Sequence, residues 1–136
     1  MVRNKCKTLI LTAFMIFGIS AIGHAADYYV DAVSGNDAAA GTQAAPWKSV
    51  TKVNSAALTA GSTVYFKAGG SFGSSVLTPK SGAAGSLVTY ATYGTGAKPT
   101  MGGFNATGKS YAKASGLSFS SSSTVVNLST ANYITV

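Results

Sequence analysis

Residues 28–69 read YYVDAVSGNDAAAGTQAAPWKSVTKVNSAALTAGSTVYFKAG, and the order of signals in this stretch decides the fold. Tyr28 to Val30 is a short apolar strand that breaks at once into the turn residues Ser34, Gly35, Asn36 and Asp37. After Pro46, Val50, Val53, Ala57 and Leu58 recur at helical spacing. Lys48, Lys52 and Ser55 fall elsewhere around the wheel, and Gly61 stands just past the end. The spacing therefore predicts one short helix over 49–58. Lys48 and Lys52, the close pair of cations in this region, are its solvated face. The stretch closes on STVYFKA, a second strand rich in β-branched and aromatic residues.

Beyond Gly61 the sequence offers no second helix. Short strand-like pieces follow one another (SVLTP, SLVTYATY, PTMGG, SYAKASGLSFS, STVVNLS, NYITV), separated by Gly, Ser, Pro and Asn. Val64, Leu87, Tyr111 and Tyr133 recur at steps of 23, 24 and 22 residues, and Val76, Thr100 and Val125 at steps of 24 and 25. A period near 23 with two or more strands in each repeat is the mark of a β-solenoid. Evenly spaced strands of a β-sandwich would give the same spacing, so periodicity alone leaves both architectures open.

The stretch from YYV to GGSF, followed by LTPKSGAAGSLVTYATYGTGAKPTMGG, resembles the N-terminal region of secreted right-handed parallel β-helix proteins of the pectate-lyase-like superfamily. That region runs as a YYV strand, a GxD turn, a G(T/S)xxxPW lead into a capping helix, a GxxVYxxAG strand and an SGxxGxxxxYxxYGxGxKP segment. The match covers about residues 27–103. The resemblance implies an all-β right-handed parallel β-helix. Residues 26–60 would form its N-terminal strand, turn and capping helix, and 61–136 its first coils. It also implies an extracellular, polysaccharide-directed role.

These motifs are architectural. A parallel solenoid leaves the apolar cross-section of its first coil facing water, and a short amphipathic helix laid across it covers that end. Val50, Val53, Ala57 and Leu58 would supply the covering face. Trp47 beside Pro46 would fix the chain's approach as a packing residue rather than a sugar platform. Gly61, Gly69, Gly70, Gly94 and Gly96 fall where the chain turns between strands. GTGAKP is no phosphate cradle, for it lacks the GK(S/T) ending and the helix that should follow. The closing NYITV is a strand without a capping element, which leads to the expectation of a chain truncated from a longer β-helix and self-associating through that end.

The first residues have a different character. Arg3, Lys5 and Lys7 precede the uncharged run LILTAFMIFGISAIG, and HAAD follows it, the order of a secretory signal peptide over 1–25. The apolar run is shorter than the ~20 residues a membrane span needs. The expected location is therefore secreted, in the periplasm, at the cell surface or outside the cell.

Cleavage there removes Cys6, His24 and Arg3, leaving seven lysines and three aspartates, a net charge of +4 in place of +7. Scattered single lysines suit an acidic polymer loosely and form no nucleic-acid patch. Without His or Cys, no Ser-His or Cys-His nucleophile can be assembled. SSSS at Ser120–Ser123 reads as a polar turn.

Lyases of the resembled family use carboxylates that hold calcium and a base that removes a proton beside a uronate. Here Asp27, Asp31 and Asp37 all precede the helix, and no carboxylate side chain follows. No catalytic residue is therefore expected in this chain. The candidate sites are sugar-stacking rings at Tyr90, Tyr93 and Tyr111, and an oxygen cluster at Asp31, Asn36 and Asp37 that could hold a calcium ion. Asp and Asn serve equally well in such a turn by bonding nearby amides. Two functions remain open: the front of a lyase-like polysaccharide enzyme whose catalytic coils lie elsewhere, or a noncatalytic extracellular module that binds glycan or serves as a stalk.

Overall fold

The computed structural model describes residues 25–120 and 126–136. The signal segment ahead of Ala25, Ser121–Ser123 of the serine turn and Val125 of the repeat lie outside those residues.

Ten strands and one helix make up the described chain. β1 (Asp27–Val30), β2 (Thr63–Lys67), β4 (Val88–Tyr93), β7 (Ser110–Ala114) and β10 (Asn132–Thr135) form a five-stranded sheet in that order. β3 (Val76–Leu77), β6 (Gly103–Asn105) and β9 (Val126–Asn127) form a second sheet. β5 (Thr100–Met101) and β8 (Ser118–Phe119) form a third. Every ladder between these strands is parallel, so the antiparallel pairing of a hairpin-built sandwich is not what orders them. From β2 onward the chain visits the three sheets in rotation. Ser71 bridges to Thr100, β3 and β4 follow, then β5, β6 and β7, then β8, β9 and β10. The fold is all-β and parallel, with one short helix.

Alternation along the five-stranded sheet builds the core. Val64 and Phe66 of β2, Val88 and Tyr90 of β4, and Ala112 and Ala114 of β7 point inward and are buried. Leu77, Met101 and Phe104 meet them from the other two sheets, and Phe72 from the turn after the Ser71 bridge. Phe66 stands edge-on to Phe72, ring centroids 5.3 Å apart. Between β5 and β6 the chain bends at Gly102, where a Cβ would lie 2.3 Å from the Ser74 carbonyl oxygen, so only glycine fits that approach.

The register departs from the uniform period. Tyr111 and Tyr133 do stack, each one residue before the paired Ala112 and Ile134, and Leu87 stands one residue before Val88, the partner of Ala112. Val64 does not join them, because it pairs with Tyr90. Val76 pairs with Gly103, while Thr100 belongs to a different sheet, opposite Ser118. Connections of unequal length separate the strands, and register follows whichever residues bring their apolar side chains inward.

The helix α1 spans Val50–Ser55, shorter than the expected 49–58. Ser49 is its N-cap, its Oγ accepting from the Lys52 amide at 3.0 Å. Ala56 is already extended (φ −66°, ψ 144°), so Ala57 is exposed and plays no covering role, whereas Leu58 still packs on the core. Val50 and Val53 are the buried face. Asn54 fastens the helix to β3: its Nδ2 donates to the Val76 carbonyl at 2.9 Å, and its Oδ1 accepts from the Thr78 amide at 2.9 Å. One carboxamide thus does for the edge of β3 what a neighbouring strand would do.

Trp47 completes this end. It forms a parallel bridge with Val30, is only 5% exposed and stacks on Tyr28 at 4.6 Å. Its indole N–H donates to the Ala39 carbonyl at 3.0 Å, and the Lys52 ammonium lies 5.5 Å from its ring centroid. Gly41, at φ +81°, lets the loop pass beneath that ring, since a Cβ there would lie 2.6 Å from it.

Candidate functional site

Because Val30, Val64, Phe66, Val88 and Tyr90 turn inward, their sequence neighbours turn outward on the same strands. The outer face of the five-stranded sheet thereby gathers Tyr29, Tyr65 and Tyr93, all half-buried. Register places Tyr29 opposite Tyr65 and Lys67 opposite Tyr93. Tyr29 and Tyr65 stack with centroids 5.1 Å apart, and Tyr93 meets Tyr29 edge-on at 5.2 Å.

Beside these rings lies an ion pair. Asp31 follows Val30, the partner of Phe66, and so falls level with Lys67, whose Nζ is 2.7 Å from Asp31 Oδ2. Asp31 is buried and also accepts from the Ser34 hydroxyl, the Val33 amide at 2.9 Å and the Ser34 amide at 3.1 Å. Burial by itself would raise this carboxyl. The Lys67 ammonium, the Ser34 hydroxyl and the two amides outweigh it and hold the group well below the usual carboxylate range. The Lys67 ammonium is correspondingly raised by its hydrogen bond to Asp31, although half its side chain remains in solvent. Burial, and then the nearby Asp31 carboxylate, push the Tyr93 phenol up.

The residues expected as sites are dispersed. Tyr93 lies in the tyrosine group. Tyr90 does not offer a ring to any ligand: it is fully buried, its Oη accepts from the Lys80 amide at 2.8 Å, and burial pushes its phenol up to about 12. An inward strand position made it a core residue. Tyr111 is the second residue of β7, whereas Tyr93 ends β4, and Tyr111 stacks instead on Tyr133 at 4.8 Å with planes 4° apart. Both have left-handed φ, 56° and 52°, at the same corner of successive circuits.

The oxygens proposed for calcium turn to separate donors. Asp31 serves Lys67, Val33 and Ser34. Asn36 Oδ1 accepts from the Ala38 amide at 2.9 Å. Asp37 accepts from the Lys48 amide at 2.8 Å, the Ser49 amide at 2.9 Å and the Ser49 hydroxyl at 2.7 Å. Burial would raise Asp37, and its bonds to Ser49 and Lys48 lower it instead. A cation here would have to displace these donors and compete with Lys67; as they stand, the oxygens are engaged in turn and cap bonds. Among the described residues no group of three or more His, Cys, Asp or Glu stands together.

Sequence reasoning missed Tyr29, Tyr65 and Lys67. The alternation in DYYV and TVYFK carried the signal, but only the register between β1 and β2 brings those side chains together. A cavity of about 310 Å³ elsewhere, between the β7–β8 turn and β10, is lined by Lys98, Lys113, Ser115 and Phe119 and includes no carboxylate side chain. Among the described residues no helix is long and apolar enough to cross a membrane.

No known family profile and no curated protein matches this sequence. Solved structures do match. The native form of GH136 lacto-N-biosidase from Eubacterium ramulus superposes with a TM-score of 0.66 at 24% identity, over 71% of this chain and 20% of that one. Its selenomethionine derivative gives 0.65 at 24% identity over 70% and 20%. The likeness is one of fold, and this chain spans about a fifth of that enzyme's length.

Proposed function

We propose that the chain forms coils of a right-handed parallel β-helix in a secreted protein directed at extracellular polysaccharide, and that these coils hold or support glycan without cleaving it. The single observation that carries the reading is the rotation of the chain through three parallel sheets, which matches in fold a stretch of an enzyme whose name places it among glycoside hydrolases. The rotation favours right-handed coils because parallel crossovers are right-handed in nearly all proteins. The pectate-lyase-like resemblance of residues 27–103 supports the same class of polymer substrate.

The inventory supports the absence of cleavage. Residues 26–136 contain no His, Cys, Arg or Glu, and Asp27, Asp31 and Asp37 all precede α1. A hydrolase of the two-carboxylate type needs an acid and a base or nucleophile flanking one bond. Asp31 is committed to Lys67, and Asp37 to the cap of α1.

Affinity electrophoresis of purified residues 26–136 through gels containing a panel of neutral and acidic polysaccharides tests the proposal. Retardation by at least one polymer, with no new reducing ends or unsaturated product, is the expected result. Migration unchanged by every polymer, or turnover abolished by a lysine substitution, refutes it. N-terminal sequencing of exported protein should begin at Ala26 or Asp27.

A further inference from the structure

Resting on that reading, we infer that the glycan platform is the outer face of β1, β2 and β4, built from Tyr29, Tyr65 and Tyr93, and that it takes an uncharged glycan rather than a polyuronate. Three tyrosines on three adjacent strands form a continuous aromatic surface in which Tyr29 packs against both Tyr65 and Tyr93, and each ring remains partly open to water. The strand partner of Tyr65 in β4 is Ala91, and Ser115 stands just past the end of β7, its amide bonded to the Tyr90 carbonyl at 2.8 Å. Small side chains thus step down beside Tyr65, with Tyr93 further along the same strand as Ala91. An aromatic wall over a shallow floor suits the apolar face of a pyranose ring, and the phenol hydroxyls remain at the wet edge.

Charge selects the class of glycan. The site's cation is Lys67, already neutralised by Asp31 at 2.7 Å, so the pair presents no net charge to a carboxylate. The remaining lone pairs of Asp31 face Ser34 and the Val33 and Ser34 amides. Lys67, half exposed, keeps N–H donors for sugar hydroxyl oxygens. A uronate brought here would gain nothing from Lys67 that it did not lose to Asp31. A neutral sugar, in contrast, gains ring contact and hydrogen bonds without desolvating a carboxylate.

Calorimetric titration of residues 26–136 with cellohexaose, xylohexaose and hexa-N-acetylchitohexaose, against hexagalacturonate, separates the possibilities. At least one neutral hexasaccharide should bind at least tenfold tighter than hexagalacturonate. Tyr65→Ala and Tyr93→Ala should each weaken that binding about tenfold or more, while Tyr133→Ala, remote on β10, should leave it unchanged. Should Tyr65→Ala fail to fold, Tyr65→Leu keeps an apolar side chain on the strand and should show the same loss, and Tyr65→Phe should retain binding. Neutral glycan bound equally well by the Tyr65 and Tyr93 variants overturns this site while leaving the glycan-directed function standing. Tighter binding of hexagalacturonate overturns the neutral preference. Binding of no glycan of either kind overturns both the site and the function on which it rests.

Discussion

At its β1 edge the five-stranded sheet is closed by backbone hydrogen bonds to Gly41 and Trp47 and by side chains of the segment that follows, whereas β10, among the described residues, pairs with β7, packs Ile134 on the core and leaves Tyr133 and the following Val136 exposed. Trp47 is 5% exposed, and Val50 and Val53 are each 1% exposed. At the other edge Leu128 is 44% exposed, Tyr133 73% and Val136 55%. Both edges have an aromatic stack, Tyr28 on Trp47 and Tyr111 on Tyr133. The stacks differ in what surrounds them. The first has an indole hydrogen bond and the Lys52 ammonium beside it, while the second rests on two residues in left-handed conformations. Stacking geometry therefore says little about stability unless the rings are also removed from water.

The largest effect should come from Trp47→Ala, which deletes a buried ring, its hydrogen bond and its stack, and should cost about 3–5 kcal/mol in urea unfolding. Gly41→Ala should mimic part of this loss, because φ +81° and a Cβ 2.6 Å from the indole leave it no room. If Tyr133→Ala destabilises as much as Trp47→Ala, the contrast between the two edges is wrong.

Asp31→Asn should come next, on the order of 2 kcal/mol at neutral pH, since it removes the charge from a buried carboxyl that accepts from Lys67, the Ser34 hydroxyl and two amides. Its pH dependence sharpens the comparison. The folded carboxyl lies below its unfolded value of 3.8, so its stabilisation is complete above that value and fades as pH falls toward the folded one. Lys67 has a raised folded value, so its share is complete below about 10.5 and is lost as pH climbs through the higher folded value. Hydrogen exchange under acid conditions should open β1 and β2 first in the wild type, and Asp31→Asn should flatten the acid limb of the stability curve. No Asp or Glu side chain follows Asp37, so β10 has no carboxylate side chain of its own to titrate there.

The smallest effect is expected at Tyr133. Tyr133→Ala loses a solvent-exposed stack while keeping φ near 52°, a loss of about 1 kcal/mol or less. Tyr133→Gly loses the same stack but relieves the left-handed strain, so thermal unfolding should place it within about 0.5 kcal/mol of wild type.

Much of this architecture was legible in the residues. YYV and STVYFKA alternate correctly and pair directly, the Pro46-Trp47 lead ends at a Ser49 cap, and Val50 and Val53 cover the core as their spacing predicted. These features depend on local preference and on period, which neighbours in sequence determine among themselves. The end of α1 at Ser55 was not legible, because Asn54 turns to β3, an element more than twenty residues away. Tyr90 and Tyr93, three residues apart in one strand, looked alike as candidate rings, yet one is wholly inside and the other on the outer face.

By itself, then, the sequence determined an all-β chain with one short helix, and an inventory in residues 26–136 that holds no His, Cys, Arg or Glu. Only the tertiary structure decided which residues share a surface. Val64 lies opposite Tyr90 rather than Leu87, and that register brings Tyr29, Tyr65, Tyr93 and the Asp31–Lys67 pair together. The physical reason is that strand alternation fixes the two faces of each strand but not the offset between strands. The offset is settled by packing across the core and by the lengths of the turns, neither of which any single segment contains.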